Sequence, residues 1–506
     1  MSNKIKDYDG IVATTRALRQ EGRTIVHCHG VYDLLHVGHI KHLEAAKRLG
    51  DLLIVTITPD RFVNKGPHRP AFGEALRAEA LAALGCVDYV AVNRYPTAVE
   101  LIADLRPDFF VKGAVPGNGQ RDHSDAVGHE EAAVVAAGGR FVLTDEGVFS
   151  SSTLINRFLD VFTPEAKSFL ASFRTRYSPE DVVEHIKAIR GLKVLTIGET
   201  IVDEYVFCDA MGRTSKEAVL VVGQNYAESY AGGILAVANH ISGFCDTVTV
   251  ASALGERESL EDLVNAGLRP GIHRHFVTIP GTPTMVKRRY VEEYLGRKLF
   301  EVYNTKATPL MGGAEDRLLD ELDALLPAHD VVIVADYGHG FLTEKVITRI
   351  CEKARFLAVN TQTNAGNMGY NVISKYPRAD FVAIAEPEVR LERRNHSADV
   401  DDLVAQTAQA LQCPRMIVTR GKNGCVCYDV QHGLVKVPAF SVKIVDRVGS
   451  GDALLALAAP AAALGFPMEL VGFIGDVAGA EACAIMGNKS SIEPMSLFRH
   501  ITSLMM

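Results

Sequence analysis

The sequence predicts an α/β protein of two domains, each a parallel sheet covered by helices, the second carrying a smaller added sheet. Three observations predict this. Short apolar strand segments alternate with amphipathic helical ones along nearly the whole chain, the pattern of parallel strands covered on both faces. Two glycine-bearing turns each join an apolar strand to a helix. In two later stretches, 206–222 and 284–303, β-branched and aromatic residues alternate with charges, as in a small solvent-facing sheet. At 506 residues the chain is too long for one hydrophobic core.

The first sheet starts with Thr24-Ile25-Val26 and continues through "DLLIVTITPD" and "DYVAVN", with helical segments such as "FGEALRAEALAALG" between. It closes near "FSSSTLINRFLDVF", which predicts a first domain over 1–160. Residues 161–190 read as a helical linker with two short helices, the second capped by Ser178 with Pro179 at its first position. A second domain over 191–506 opens with "LKVLTIGETIVDEY" and adds strands in "DVVIVADYGHG", "FLAVNTQTN", "DFVAIAEPE" and "RMIVTRGKNG".

Bulk composition narrows the function. A net charge of −8 argues against sequence-blind nucleic-acid binding, which needs basic surface to displace counterions. The first ten residues, MSNKIKDYDG, lack the apolar core of a signal peptide, and no run of about 18 apolar residues follows. The nine cysteines form no C-x-x-C pair. The expectation is a cytoplasmic protein with reduced thiols and neither nucleic acid nor membrane as partner.

"HGVYDLLHVGHIKHLEAA", residues 29–46, places four histidines and two glycines between an apolar strand and a helix. Gly30 and Gly38 let backbone approach a ligand, and the following helix points free N–H groups at the same spot. His36 and His39 can donate to phosphate oxygens as charge develops on them. The spacing of His36, His39 and His42 also suits a metal, but the H-E-x-x-H glutamate is missing. Solvated histidines are the third reading.

Gly30-Val31-Tyr32-Asp33 and His36-Val37-Gly38-His39 resemble the G-x-[FY]-D and H-x-G-H motifs of the nucleotidylyltransferase superfamily. With "RPAFGEALRAEALAALGCVDYV", "LRPDFFVKG" and "FSSSTLI", the resemblance to sugar-phosphate adenylyl- and cytidylyltransferases covers residues 24–158. It implies a Rossmann-like domain in which a sugar phosphate attacks the α-phosphate of ATP, or of CTP, and pyrophosphate leaves. Positioning and electrostatic stabilisation suffice for such chemistry. By this resemblance His36 and His39 stabilise the transferring group and Asp33 faces the sugar. Lys65, Arg69 and Lys112 are candidates for phosphates, as are Ser151, Ser152 and Thr153 at a helix N-terminus. Lys65 and Arg69 also read as plain loop charges, and the serines as a helix cap. Val115-Pro116 departs from the acidic and aromatic pair common in relatives, which bears on the sugar side.

In "DRVGSGDALLALAA" the amides of Gly449, Ser450 and Gly451 can form an anion hole at a helix N-terminus. Asp452 stands at its mouth, placed either to take a proton from a sugar hydroxyl or to cap the helix. "YAGGILAVANH" supplies Gly232, Gly233 and Asn239, "GETIVDEY" supplies Asp203, and "VTRGKNG" supplies Arg420 and Gly421. As a set these resemble the ribokinase-type (PfkB) sugar kinases over residues 191–500. The resemblance implies an αβα sandwich, ATP and Mg²⁺, Asp452 as base, and a β-sheet lid that dimerises in relatives. Ala385 replaces the amide of the N-x-x-E element, leaving Glu388 alone for the metal-linked water network. Lys287 and Arg289 share one face of a lid strand, either for a phosphate already on the sugar or as solubilising charges. The amide-rich "NTQTNAGNMGYN" has no mechanistic reading.

Together the halves resemble the bifunctional heptose-phosphate kinase/adenylyltransferases of bacterial surface-polysaccharide synthesis, with domain order reversed. The expected function is phosphorylation of a sugar phosphate and formation of an NDP-sugar such as ADP-heptose. The alternative is a cytidylyltransferase for a polyol or other small phosphate, joined to a silent kinase-like module.

Overall fold

The computed structural model describes residues 4–63, 70–113, 125–144, 162–294, 296–306, 308–440 and 444–506. It divides into two compact units, Met1–Glu180 with Met495–Met506, and Asp181–Pro494.

The first unit holds a six-stranded parallel sheet of β1 (Ile5–Lys6), β2 (Ile25–Gly30), β3 (Leu52–Ile57), β4 (Tyr89–Val92), β5 (Phe109–Gly113) and β6 (Arg140–Thr144), in the order β1-β4-β3-β2-β5-β6. Val26, Cys28, Leu53 and Val55 of its central strands are fully buried, as expected for strands covered on both faces. Strand order reverses at β2, so the carboxyl ends of β2 and β5 bound the crevice where such sheets bind ligands. The two helical patterns after residue 160 form the helices Pro164–Phe173 and Pro179–Ala188, the first capped by Thr163 accepting from the Ala166 amide at 3.2 Å. The last helix, Pro494–Met505, groups with this first unit, although its sequence continues the second domain. Arg174 donates to the Leu504 carbonyl at 2.6 Å.

The second unit is built on nine strands: β7 (Lys193–Gly198), β10 (Thr247–Arg257), β11 (His273–Pro283), β14 (Val331–Asp336), β15 (Leu357–Thr361), β16 (Phe381–Ala385), β17 (Arg415–Thr419), β18 (Cys425–Asp429) and β19 (Gly433–Val437). Their order is β11-β10-β7-β14-β15-β16-β17-β18-β19, parallel through β17 and antiparallel beyond it. Here the order reverses between β7 and β14. A separate sheet, β13-β12-β8-β9, comprises β8 (Thr200–Arg213), β9 (Leu220–Gly233), β12 (Met285–Glu292) and β13 (Arg297–Tyr303). It is the added sheet expected from the charge-alternating stretches, and β8 leaves β7 after a single residue, so it begins at the switch point.

Candidate active sites

In the first unit the chain leaves β2 at Gly30 and reaches the helix Val37–Lys47 through a loop held from beneath. Arg77, fully buried, donates to the carbonyls of Phe72 (2.9 Å) and Thr58 (2.8 Å), to Asp60 (2.6 Å) and to the Val31 carbonyl. It pins the turn that carries Asp33. Sequence reading passed over Arg77 because its motif showed a charge on an apolar helix, not what the charge would meet. Asp33 is buried, with Oδ1 accepting the Phe72 amide at 3.1 Å and Oδ2 taking no donor among the described residues.

His36 caps the helix in extended conformation, and its Nδ1 accepts the Gly38 N–H at 3.1 Å. A nitrogen that accepts carries no proton, so the neutral ring bears its proton on Nε2. That Nε2 is buried and has no acceptor among the described residues, and burial holds the ring below the ordinary histidine range. The His39 ring stacks on His36 at 4.0 Å, with Tyr32 edge-on to it at 5.2 Å. The other two histidines of the stretch belong to the interior: His29 bonds to Thr56 and Thr58, and His42 to Thr144. Gly30 lies under the Tyr32 ring, and a Cβ there would stand 3.1 Å from that ring. Lys112, expected at a phosphate, is paired with Glu130 at 2.9 Å. Lys65, Arg69, Ser151, Ser152 and Thr153, like Val115-Pro116, lie outside the described residues.

In the second unit Asp452 stands in the first turn of the helix Ser450–Ala463. Its Oδ1 accepts the Tyr337 hydroxyl at 2.8 Å. Burial, with Asp203 nearby, pushes its carboxyl up to about 6, against the pull of Tyr337 and Lys287. Gly449 turns the chain into this helix at a φ of +84°, and a Cβ there would stand 2.4 Å from Asn488 Oδ1. Only glycine satisfies both. The Ser450 hydroxyl donates to the Arg447 carbonyl at 2.9 Å and its amide to the same carbonyl at a long 3.4 Å, so a phosphate would meet Ser450 only through that weakly held amide, and Gly451 through its own.

Asp203 on β8 is buried between Arg289 on β12 and Asn488, which donates to its Oδ2 at 2.8 Å. Gly232 on β9 faces the same carboxylate: a Cβ would lie 2.1 Å from Asp203 Oδ2. Gly233 follows where the strand becomes the helix Ile234–Ile241. Asn239 is a correction to the sequence reading. Its amide donates to the Gly267 carbonyl at 2.8 Å and its oxygen accepts the Arg269 amide at 2.9 Å, a structural tie in place of a sugar contact.

Of the two readings of Lys287 and Arg289, the solubilising surface charge falls away, because they are 5% and 8% exposed. They differ from each other. Arg289 is bound to Asp203 and, at 3.1 Å, to Glu301, so its guanidinium is already matched. Lys287 makes no ion pair or hydrogen bond among the described residues. Its ammonium lies 5.1 Å from the Tyr303 ring and 5.6 Å from that of Tyr337, and burial lowers its proton affinity.

Asp446, missed in the sequence, ties the anion-hole turn to the added sheet. It accepts Tyr205 of β8 at 2.7 Å, Lys298 of β13 at 2.5 Å and the Val448 amide at 3.1 Å. Burial works against its charge, yet these partners hold it below the ordinary carboxylate range.

On the far side, Arg420 precedes the turn Gly421–Asn423 and pairs with Glu386 at 3.0 Å. Glu388 accepts the Thr363 amide at 3.0 Å through Oε1 and the Ala385 amide through Oε2. Each oxygen keeps a second lone pair, so the residue fits a water-mediated link to Mg²⁺ but already caps the start of a helix and anchors a loop.

Comparison with known proteins matches residues 192–494, more than half of the chain, to the pfkB family carbohydrate kinase model, and residues 27–158 to the cytidylyltransferase-like model. A bifunctional protein HldE of Syntrophotalea carbinolica is 40% identical over 171 residues, 32% of this chain and 33% of that protein. Its namesake in Geotalea uraniireducens is 46% identical over 112 residues, 22% of this chain and 23% of the relative. The chain thus matches a third or less of their length. The namesake in Rhodopseudomonas palustris is 28% identical over 321 residues, 62% of this chain and 64% of its own. Among solved structures, Arabidopsis thaliana ribokinase (15% identical, TM-score 0.50) and Escherichia coli phosphofructokinase-2 (14%, 0.51) each align over 62% of this chain and 99% of their own, a likeness of fold. No helix among the described residues is long and apolar enough to cross a membrane.

Proposed function

Because this chain belongs to the pfkB family of carbohydrate kinases and carries a cytidylyltransferase-like domain ahead of it, we propose that it is a bifunctional enzyme of nucleotide-sugar synthesis. One site phosphorylates a phosphorylated sugar, a heptose phosphate, with ATP. The other joins a sugar 1-phosphate to a nucleoside triphosphate, giving ADP-heptose and pyrophosphate. A single observation carries this reading: at the switch point of each sheet stands a basic side chain whose ligand-directed nitrogen has no acceptor among the described residues, the buried Nε2 of half-buried His36 in one and Nζ of buried Lys287 in the other. An uncompensated buried donor is costly unless a ligand anion completes it.

In the kinase half the Asp452 carboxylate takes the proton of a sugar hydroxyl as its oxygen attacks the γ-phosphorus and ADP leaves. The amides of Gly449, Ser450 and Gly451 receive the phosphoryl charge. Asp203 and Gly232 hold sugar hydroxyls, and Lys287 meets the phosphate the sugar already carries. Arg420 and Gly421 lie on the nucleotide side. Mg²⁺ would be held through water at Glu388 and would neutralise phosphate charge. In the transferase half a sugar-phosphate oxygen attacks the α-phosphorus, and His36 Nε2–H with His39 donates to the oxygens that gain charge. The lid also exposes Leu220, Tyr226, Phe300 and Val302, from which we propose a homodimer through this sheet, checked by light scattering. We place the enzyme in the cytoplasm, where its nucleotides are.

The test uses the whole protein with Mg²⁺. Heptose 7-phosphate with ATP should give ADP, and heptose 1-phosphate should release pyrophosphate with ATP in preference to CTP. Release with CTP only, on a polyol phosphate and with no ADP formed from any sugar, would replace this reading by a cytidylyltransferase with a silent kinase-like module.

A further inference from the structure

The amide-rich stretch at residues 360–371 is an ordered clamp on Tyr337. Asn364 and Asn367 both donate to the Tyr337 carbonyl, at 2.7 and 3.1 Å. Asn367 also donates to the Gln362 carbonyl at 2.8 Å, and Asn371 to the Asp336 carbonyl at 2.8 Å. The oxygens of Asn364 and Asn367 are fixed by loop amides in turn. From β7's end, Glu199 accepts the Tyr337 amide at 3.0 Å and the His339 amide at 2.9 Å. Tyr337 is therefore gripped at both its N–H and its C=O, in a strand-end segment that would otherwise be a free loop. Its ring is 3% exposed and its hydroxyl supplies the one hydrogen bond that the Asp452 side chain receives among the described residues.

We propose that Tyr337 is a positioning residue for phosphoryl transfer: its clamped hydroxyl fixes Oδ1 of Asp452, leaving Oδ2 as the oxygen presented to the sugar hydroxyl. The inference rests on the kinase reading above and gives the asparagines of the loop their role at one remove. A donor on Oδ1 does two things. It selects one rotamer of a carboxylate that can otherwise swing, and it stabilises the ionised form that a base requires. Burial and the neighbouring carboxylate push the Tyr337 phenol far up, so it stays a donor across the working pH range. The other groups facing Asp452 are Asp203 from β8, which opposes its charge, and Lys287 from β12, which favours it. Removing only the phenolic oxygen leaves both in place.

The experiment compares the full-length protein with Tyr337→Phe, which keeps the ring against Lys287, and with Asn367→Ala, which loosens the clamp and keeps the hydroxyl. Two readouts are taken: the pH profile of sugar-dependent ADP formation, and the ¹³C NMR titration of the Asp452 carboxyl, assigned by Asp452→Asn. In Tyr337→Phe the expected result is a loss of kcat of about tenfold below neutral pH, with KM for ATP little changed, and an upward move of about one pH unit in both the acid limb and the NMR midpoint. Asn367→Ala should lower kcat by about threefold in the same direction, since it only loosens what Tyr337→Phe removes. An unmoved midpoint and profile in folded Tyr337→Phe overturns the proposal; should that variant not fold, wild-type kcat in Asn367→Ala overturns it. A midpoint that moves in a protein whose wild type phosphorylates no sugar overturns instead the kinase reading, and the catalytic role with it.

Discussion

Both sheets bring their ligand-facing side chains to the point where strand order reverses, yet the two sites are held by different physics. His36 is set by a bond to Gly38, two residues away, and by a ring stack within one helical turn. Asp203 is set by Arg289 and Asn488, 86 and 285 residues away. At the first site the histidine pair is placed locally and offers neutral donors, on a turn braced from beneath by Arg77. The second is a long-range assembly of buried charges, with one cation left without an ion pair among the described residues and one carboxylate pushed up to about 6. A transfer whose nucleophile is already an anion needs only donors; a hydroxyl nucleophile needs somewhere to put its proton.

The sharpest way to break this comparison is to exchange the damage. Asp452→Asn should lower ADP formation by about 10³-fold and leave pyrophosphate release unchanged. His36→Ala should lower pyrophosphate release by about 10²-fold and spare ADP formation. Crossed effects would show the two sites to be one system. Next in size, Gly232→Ala drives a methyl into Asp203, so the KM for sugar should rise by about tenfold and the Tm fall by a few degrees, read by kinetics and calorimetry. A pH series should then separate the halves. With its carboxyl pushed up to about 6, Asp452 ionises as pH rises through that value, so ADP formation should be half-maximal near pH 6 and lost below it. Pyrophosphate release, which needs no such base, should change little between about pH 6 and 8. Smallest of all, Ala385→Asn puts a favourable residue at the N-cap of the helix Glu386–Glu392, and the Tm should rise by about 2 °C. A fall instead would mean that the new amide displaces Glu388 from the Ala385 N–H.

The same contrast explains what could be read from the amino-acid order. Strand–turn–helix units and the residues on them, His36, His39, Gly449 and Asp452, are legible because each depends on neighbours a few positions away. The two sheets and the added third one follow from periodicity. Partners across the fold are not so legible. Asn239 has the residue type and spacing of a sugar ligand, and spacing does not tell that Gly267 and Arg269 take both ends of its amide. Lys287 and Arg289 sit in a run of three cations with Arg288, as surface charges do, and only their burial in the fold shows that this face is covered, with one cation matched and the other without an ion pair among the described residues. Arg77, Asp446 and Asn488 carry no signal in one sequence, because their work is to receive or donate bonds from segments far along the chain.

Asp446 gives the second unit a mechanical property that neither site has alone. The carboxylate that accepts Lys298 and Tyr205 from the lid also accepts the Val448 amide, one residue before the turn of Gly449. Lifting that sheet means pulling two side-chain donors off a buried anion, which is then left with only the Val448 and Gly487 amides beside the turn of Gly449. Cover and cradle are thus hinged on one atom group, like a latch whose bolt is also part of the lock. On the kinase reading proposed above, the turn that would meet phosphate is fully braced only with the added sheet seated on it, so cover and cradle are completed together.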